Sequence, residues 1–129
     1  MTTTKTDEAD DRALGFFLAG QAAKNPHLKD ISEAMRTGMW AALEALQGRG
    51  MNASTNDITA AATLAATSIA AEMVENAYRL AGQPITAETS RESLRLCRLV
   101  MVACAGAGFD SAATVIAERV ATKEKGDLQ

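Results

Sequence analysis

Ile58 to Ala71 reads ITAAATLAATSIAA, fourteen residues between Asp57 and Glu72 without a single charge. Eleven of them are Ala, Thr or Ser, and only Ile58, Leu64 and Ile69 are large. The alanines favour helix, since Ala has the best intrinsic propensity. A helix so smooth lets another backbone come close. The stretch therefore points to tight helix packing, either within the chain or between copies of it.

The flanks frame this stretch as one long helix. Ser54 or Thr55 can cap it, with Asp57 in its first turn, and Gly82-Gln83-Pro84 stops it after Ala81. Upstream, the acidic run Asp7, Glu8, Asp10 and Asp11 suits the positive end of a helix dipole. A first helix is expected from about Asp7 to Lys24. Asn25-Pro26 then reads as N-cap and first position of a second helix, which runs to about Gln47 and halts at Gly48-Arg49-Gly50. Downstream, Thr89-Ser90-Arg91-Glu92 fits the S/T-x-x-E capping box and would start a fourth helix. Gly106-Ala107-Gly108 weakens that helix, and Asp110 can cap a fifth. No stretch alternates apolar and polar residues over four positions, so no strand is expected.

The expected fold is therefore all-α, a single-domain bundle of about five helices over residues 1–129. Residues 1–6 are expected as a frayed leader and 126–129 as a frayed tail. A chain of 129 residues is long enough for a core without disulfide or metal staples. Its 47% hydrophobic and 22% charged content is ordinary for a globular domain, but aromatics are only 4%. The second helix carries a clean stripe, Leu28, Ile31, Met35, Met39, Ala42 and Leu46, expected to face the core. The first helix is apolar on two nearly opposite sides, with Leu14, Phe17 and Leu18 on one and Ala13, Phe16 and Gly20 on the other. That pattern favours a contact between subunits, and a homodimer or higher assembly is expected.

Several function classes lose ground on composition. A net charge of −3 and a pI near 5.1 disfavour general nucleic-acid binding and anionic membrane surfaces. The longest uncharged run is fourteen residues, short of the roughly 18 a membrane span needs. The first apolar run, Ala13 to Ala23, follows acidic residues rather than the basic leader of a secretory signal. A cytoplasmic, soluble protein is expected.

Chemistry-bearing groups are sparse. Cys97 and Cys104 lie seven residues apart on one helix, about 10 Å along its axis, too far to bridge. His27 is the single histidine. Glu72 and Glu75 lack the Glu-x-x-His partners of a di-iron site. Gly106-Ala107-Gly108 follows no strand and is no dinucleotide loop. No catalytic residue, metal ligand or cofactor is expected.

What remains is contact. Trp40 sits beside Arg36 at the edge of the second helix's stripe, and this residue pair is favoured at binding hot spots. Phe16 marks the second apolar side of the first helix. Arg91, Arg95 and Arg98 share one face with Glu88, a face that further along carries Val102 and Ala105. The expected function is a non-enzymatic protein–protein interaction module, a small regulator, adaptor or inhibitor, whose contact residues are Phe16, Arg36, Trp40, Arg91, Arg95 and Arg98. Its partners would be itself and another protein. Two alternatives stand beside it. One is a small-molecule sensor with a pocket lined by Met35, Met39, Met73 and Met101. The other is a nucleic-acid-associated regulator using the arginine stripe.

Overall fold

A computed structural model describes residues 5–128, which are helical over four elements with no strand among them. The helices are α1 (Lys5–Ala23), α2 (Leu28–Gly48), α3 (Thr55–Leu80) and α4 (Ala87–Leu128). The expected leader lies outside the described residues up to position 4; Lys5 and Thr6 already belong to α1. Of the expected tail, residues 126–128 are helical and 129 lies outside the description.

There are four helices where five were expected, because α4 runs for 42 residues without a break. Gly106 and Gly108 sit inside it, and neither takes a positive φ. A glycine in mid-helix costs only about 0.5–1 kcal/mol against alanine, too little to break a helix flanked by Leu, Val and Ala. Asp110 therefore caps nothing.

The helix ends follow local chemistry. α3 opens on a capping box: the Ser54 hydroxyl accepts from the Asp57 amide at 3.2 Å, and the Asp57 carboxylate accepts from the Ser54 amide at 3.0 Å. α4 opens three residues earlier than its sequence box suggested. There Thr86 and Thr89 exchange amide-to-hydroxyl bonds of 3.1 and 3.0 Å. Asn25 does not cap α2 directly; its side chain accepts from the His27 amide at 2.9 Å, and the helix starts at Leu28. α2 and α3 each end on a glycine with positive φ, Gly50 at 85° and Gly82 at 67°. At each, the two amides from the glycine onward close back onto the last turn, Gly50 on Gln47 and Met51 on Leu46, Gly82 on Arg79 and Gln83 on Tyr78.

The chain groups into two compact units: Met1–Gly20 with Leu96–Gln129, and Gln21–Arg95. In the first unit α1 packs on the early part of α4. Gly15 is buried there, and a Cβ built on it would stand 2.7 Å from the Leu99 carbonyl oxygen. Leu14, Leu18, Leu99 and Val100 are half-buried around this crossing, and Ala103 is 8% exposed. From Cys104 through Gly126 every residue of α4 is exposed.

In the second unit neither α2 nor α3 buries a residue. Leu43, Leu46, Ile58, Ala62 and Val74 are half-buried, and the Tyr78 and Ser93 hydroxyls pair at 3.3 Å. One expectation fails here, and one branch of another. The stripe of α2 does not face a core: Leu28, Ile31, Met35, Met39 and Ala42 are exposed, and Leu46 is half-buried. Two helices and the opening turns of α4 cannot enclose it. Nor does Ile58–Ala71 make a close packing surface within the chain, since most of it is exposed, Leu64 by 69%. Among the described glycines, a close backbone approach lies at Gly15, against Leu99.

Candidate interaction surfaces

Two open grooves with mainly apolar walls lie among the described residues, one in each unit. The first, of about 580 Å³, runs between α1 and α4. Its apolar wall is Phe16, Leu99, Val102 and Ala103; Arg12, Arg98, Glu8 and Asp110 stand along its rim. The close crossing at Gly15 positions this wall, because it sets the depth at which the two helices meet. Phe16, one turn-face away from Gly15, is 57% exposed.

The second groove, of about 540 Å³, follows the apolar stripe of α2. Leu28, Ile31, Met35 and Met39 line it, with Ile58 of α3, and Arg36 and Trp40 border it. Trp40 is 53% exposed. Its indole is left half in water beside Met35 and Met39.

Among the residues singled out from sequence, the structure brings Phe16 to Arg98, and Arg36 to Trp40. The arginine stripe is divided: Arg91 and Arg95 belong to the unit of α2 and α3, and Arg98 to that of α1 and α4. Arg95 holds Glu92 in a two-pronged pair, Nη2 to Oε1 at 2.9 Å and Nε to Oε2 at 3.1 Å. This bond holds the Glu92 carboxyl below the usual range. Asp57 is likewise lowered, first by its backbone bond to Ser54 and then by the Ser54 hydroxyl. Both shifts are structural and neither marks a reactive group. The four methionines of the sensor alternative are not collected: Met35 and Met39 share the α2 groove, Met73 does not line it, and Met101 is in the other unit.

Among the described residues, no three of His, Cys, Asp and Glu stand close enough to hold a metal ion. Cys97 is half-buried and Cys104 exposed, both as thiols. Arg79 bonds the Asn76 amide oxygen. Two helices are long and apolar enough to cross a membrane, α3 with an 18-residue window of mean hydropathy 1.2 and α4 with one of 1.7. The second window goes beyond the fourteen-residue run counted in sequence, because Asp110 is the one charge between Leu99 and Ala117.

Sequence reasoning missed one row of residues. Val102, Phe109, Ala113, Ile116 and Val120 fall within an arc of about 60° on α4 at 100° per residue. All five are exposed, Phe109 by 69% and Ile116 by 59%. The seven-residue spacing of Val102, Phe109 and Ile116 was the available signal. Dividing the helix at Gly106–Gly108 concealed it.

No protein family, characterised protein or solved structure matches this chain.

Proposed function

We propose that this chain is a non-enzymatic interaction module that assembles with itself and docks another protein through exposed helical faces. One observation carries this reading: the large apolar side chains are outside. A compact chain of this mass, 13.5 kDa, exposes about 6,500 Å², and two separate compact bodies of the sizes of these two units about 8,000 Å². This chain exposes 10769 Å². The excess of roughly 3,000 Å² is that of a subunit waiting for its neighbours. The α2 groove is the docking face for another protein, with Trp40 as anchor and Arg36 at its rim.

The test is capture from native cells on the tagged chain, compared with Trp40→Ala and with Arg95→Glu. Trp40→Ala is expected to lose the partner with helicity unchanged, and Arg95→Glu to weaken it less. Full capture by both variants would remove these surfaces from contention. A second reading, insertion of α3 and α4 into a bilayer, has their length and hydropathy in its favour. Against it stand Asp110 in the middle of the apolar part of α4 and the marginal hydropathy of α3. Flotation with neutral phosphatidylcholine vesicles separates the two.

A further inference from the structure

The first unit leaves half of α4 without a neighbour. α1 is 19 residues long, about 28 Å, and meets α4 around Leu99 and Ala103. Beyond Ala103 the helix continues for more than twenty residues, all exposed up to Gly126. Much of a helix's stability in a protein comes from packing one apolar face, so a long unaccompanied rod with an apolar row asks for a partner. That row is Val102, Phe109, Ala113, Ile116 and Val120, adjoining the side that α1 covers.

Resting on the contact reading above, we propose that the occupant of this row is the α4 of a second copy, laid antiparallel about a two-fold axis near Ser111. The row is complementary to itself in that arrangement. Residues whose numbers sum to about 222 come opposite each other. Phe109 then meets the partner subunit's Ala113, Ile116 meets the partner subunit's Gly106, and Val102 meets the partner subunit's Val120. Phe109 and Ile116 fall on small residues and the two valines pair at the ends, as interdigitated packing allows, and one patch serves both subunits, as an isologous interface requires. Antiparallel placement also opposes the two helix dipoles favourably. Gly106 has open space above it, with nothing within 4 Å of a Cβ, so the partner's isoleucine has room. The whole chain's excess of roughly 3,000 Å², of which this row is one part, leaves room for a standard interface of about 800 Å² per partner. A lipid occupant fits the row less well. Four of its large apolar residues, Val102, Phe109, Ile116 and Val120, share one side of the helix with only Val115 nearly opposite, while Asp110, Ser111, Thr114 and Glu118 lie off that side.

The experiment is sedimentation equilibrium of the full chain, with circular dichroism of every variant. The wild type is expected as a dimer in the micromolar range. Phe109→Glu and Ile116→Glu are each expected to raise the dimer dissociation constant at least 100-fold. Val120→Arg, far from the α1 crossing, does the same and guards against a folding defect. Spin labels on Thr122→Cys, in a chain carrying Cys97→Ala and Cys104→Ala, fix the direction. Antiparallel pairing about Ser111 places them about 33 Å apart along the seam. A parallel pair would bring them within about 15 Å, and that result overturns the arrangement. A dimer whose mass none of the three variants changes overturns the α4 seam while leaving the contact reading intact. A monomer that stays helical, melts cooperatively at high concentration and captures no protein overturns both. Flotation of the wild type with phosphatidylcholine vesicles, lost in Phe109→Glu, would assign the row to lipid and overturn the proposal.

Discussion

The two units solve the same problem with opposite success. Where α1 meets α4, two backbones touch, and the residues that vanish from solvent are a glycine and an alanine, Gly15 and Ala103. Where α2 meets α3, larger side chains are available and nothing becomes buried. Size does not make the contact; the missing side chain does. Gly15 lets the helices approach until their surfaces exclude water, whereas the methionines and leucines of α2 hold nothing at that depth.

The strongest way to break this contrast is to give Gly15 a side chain. Gly15→Val drives carbon into the Leu99 carbonyl, where backbone cannot yield as a flexible side chain would. Overpacking of this kind costs about 1–3 kcal/mol, and the upper end is expected here. Amide hydrogen exchange across α1 should speed up markedly while α3 is unaffected. Gly38 in α2 is the matched control. Nothing lies within 4 Å of its Cβ position, so Gly38→Ala should stabilise by about 0.5–1 kcal/mol through helix propensity alone. Equal losses at both sites would erase the distinction between the units.

A smaller effect sharpens the picture of the unit that packs least. With no buried residue, α3 leans on its ends, so Ser54→Ala should cost about 1 kcal/mol, read as a lower urea midpoint. The same cap sets a pH response. Asp57 has its folded-state pKa lowered below 3.8 by bonds to Ser54. Its contribution is therefore full above the unfolded value and is lost as pH falls through the folded one. Ellipticity of the wild type should decline on acidification past that window, and Ser54→Ala should flatten the Asp57 part of the decline.

The smallest effect is expected at the surface pair of the α4 opening. Glu92→Gln removes the partner of Arg95, yet both side chains are exposed, 58% and 41%. Solvent-exposed ion pairs contribute little, and the melting temperature should move by no more than about 2 °C. A larger drop would mean that Glu92 sits in a covered contact rather than on a wet face.

The sequence exposed its local grammar well and its burial poorly. Helical class follows from Ala content and from the want of strand alternation, and the stops at Gly50 and Gly82 are visible because left-handed φ selects glycine. Ser54 was one of two cap candidates beside Thr55, and the reciprocal bond with Asp57 decided between them. Errors arose where a decision needed the third dimension. Gly106 and Gly108 look like a break, but breaking requires more than two small penalties in an apolar context. The α2 stripe has a core's periodicity, yet periodicity states only that a face is apolar and not that something covers it. Phe16 and Trp40 were picked out by residue type, and both are exposed. Phe109 and Ile116 were not picked out, because their register appears only once α4 is one rod. Gly15 was one glycine among nine until Leu99 came beside it.

The threonines of α3 change how that helix meets its surroundings. Thr59 and Thr63 give their hydroxyl protons to the carbonyls of Thr55 and Thr59, and Thr67 to that of Leu64, at 2.8–2.9 Å. Turned inward in this way, each presents mainly a methyl group outward. On a phenyl resin in ammonium sulfate, the protein should be retained more strongly than one with serine in the same places, a stickiness the letter T conceals.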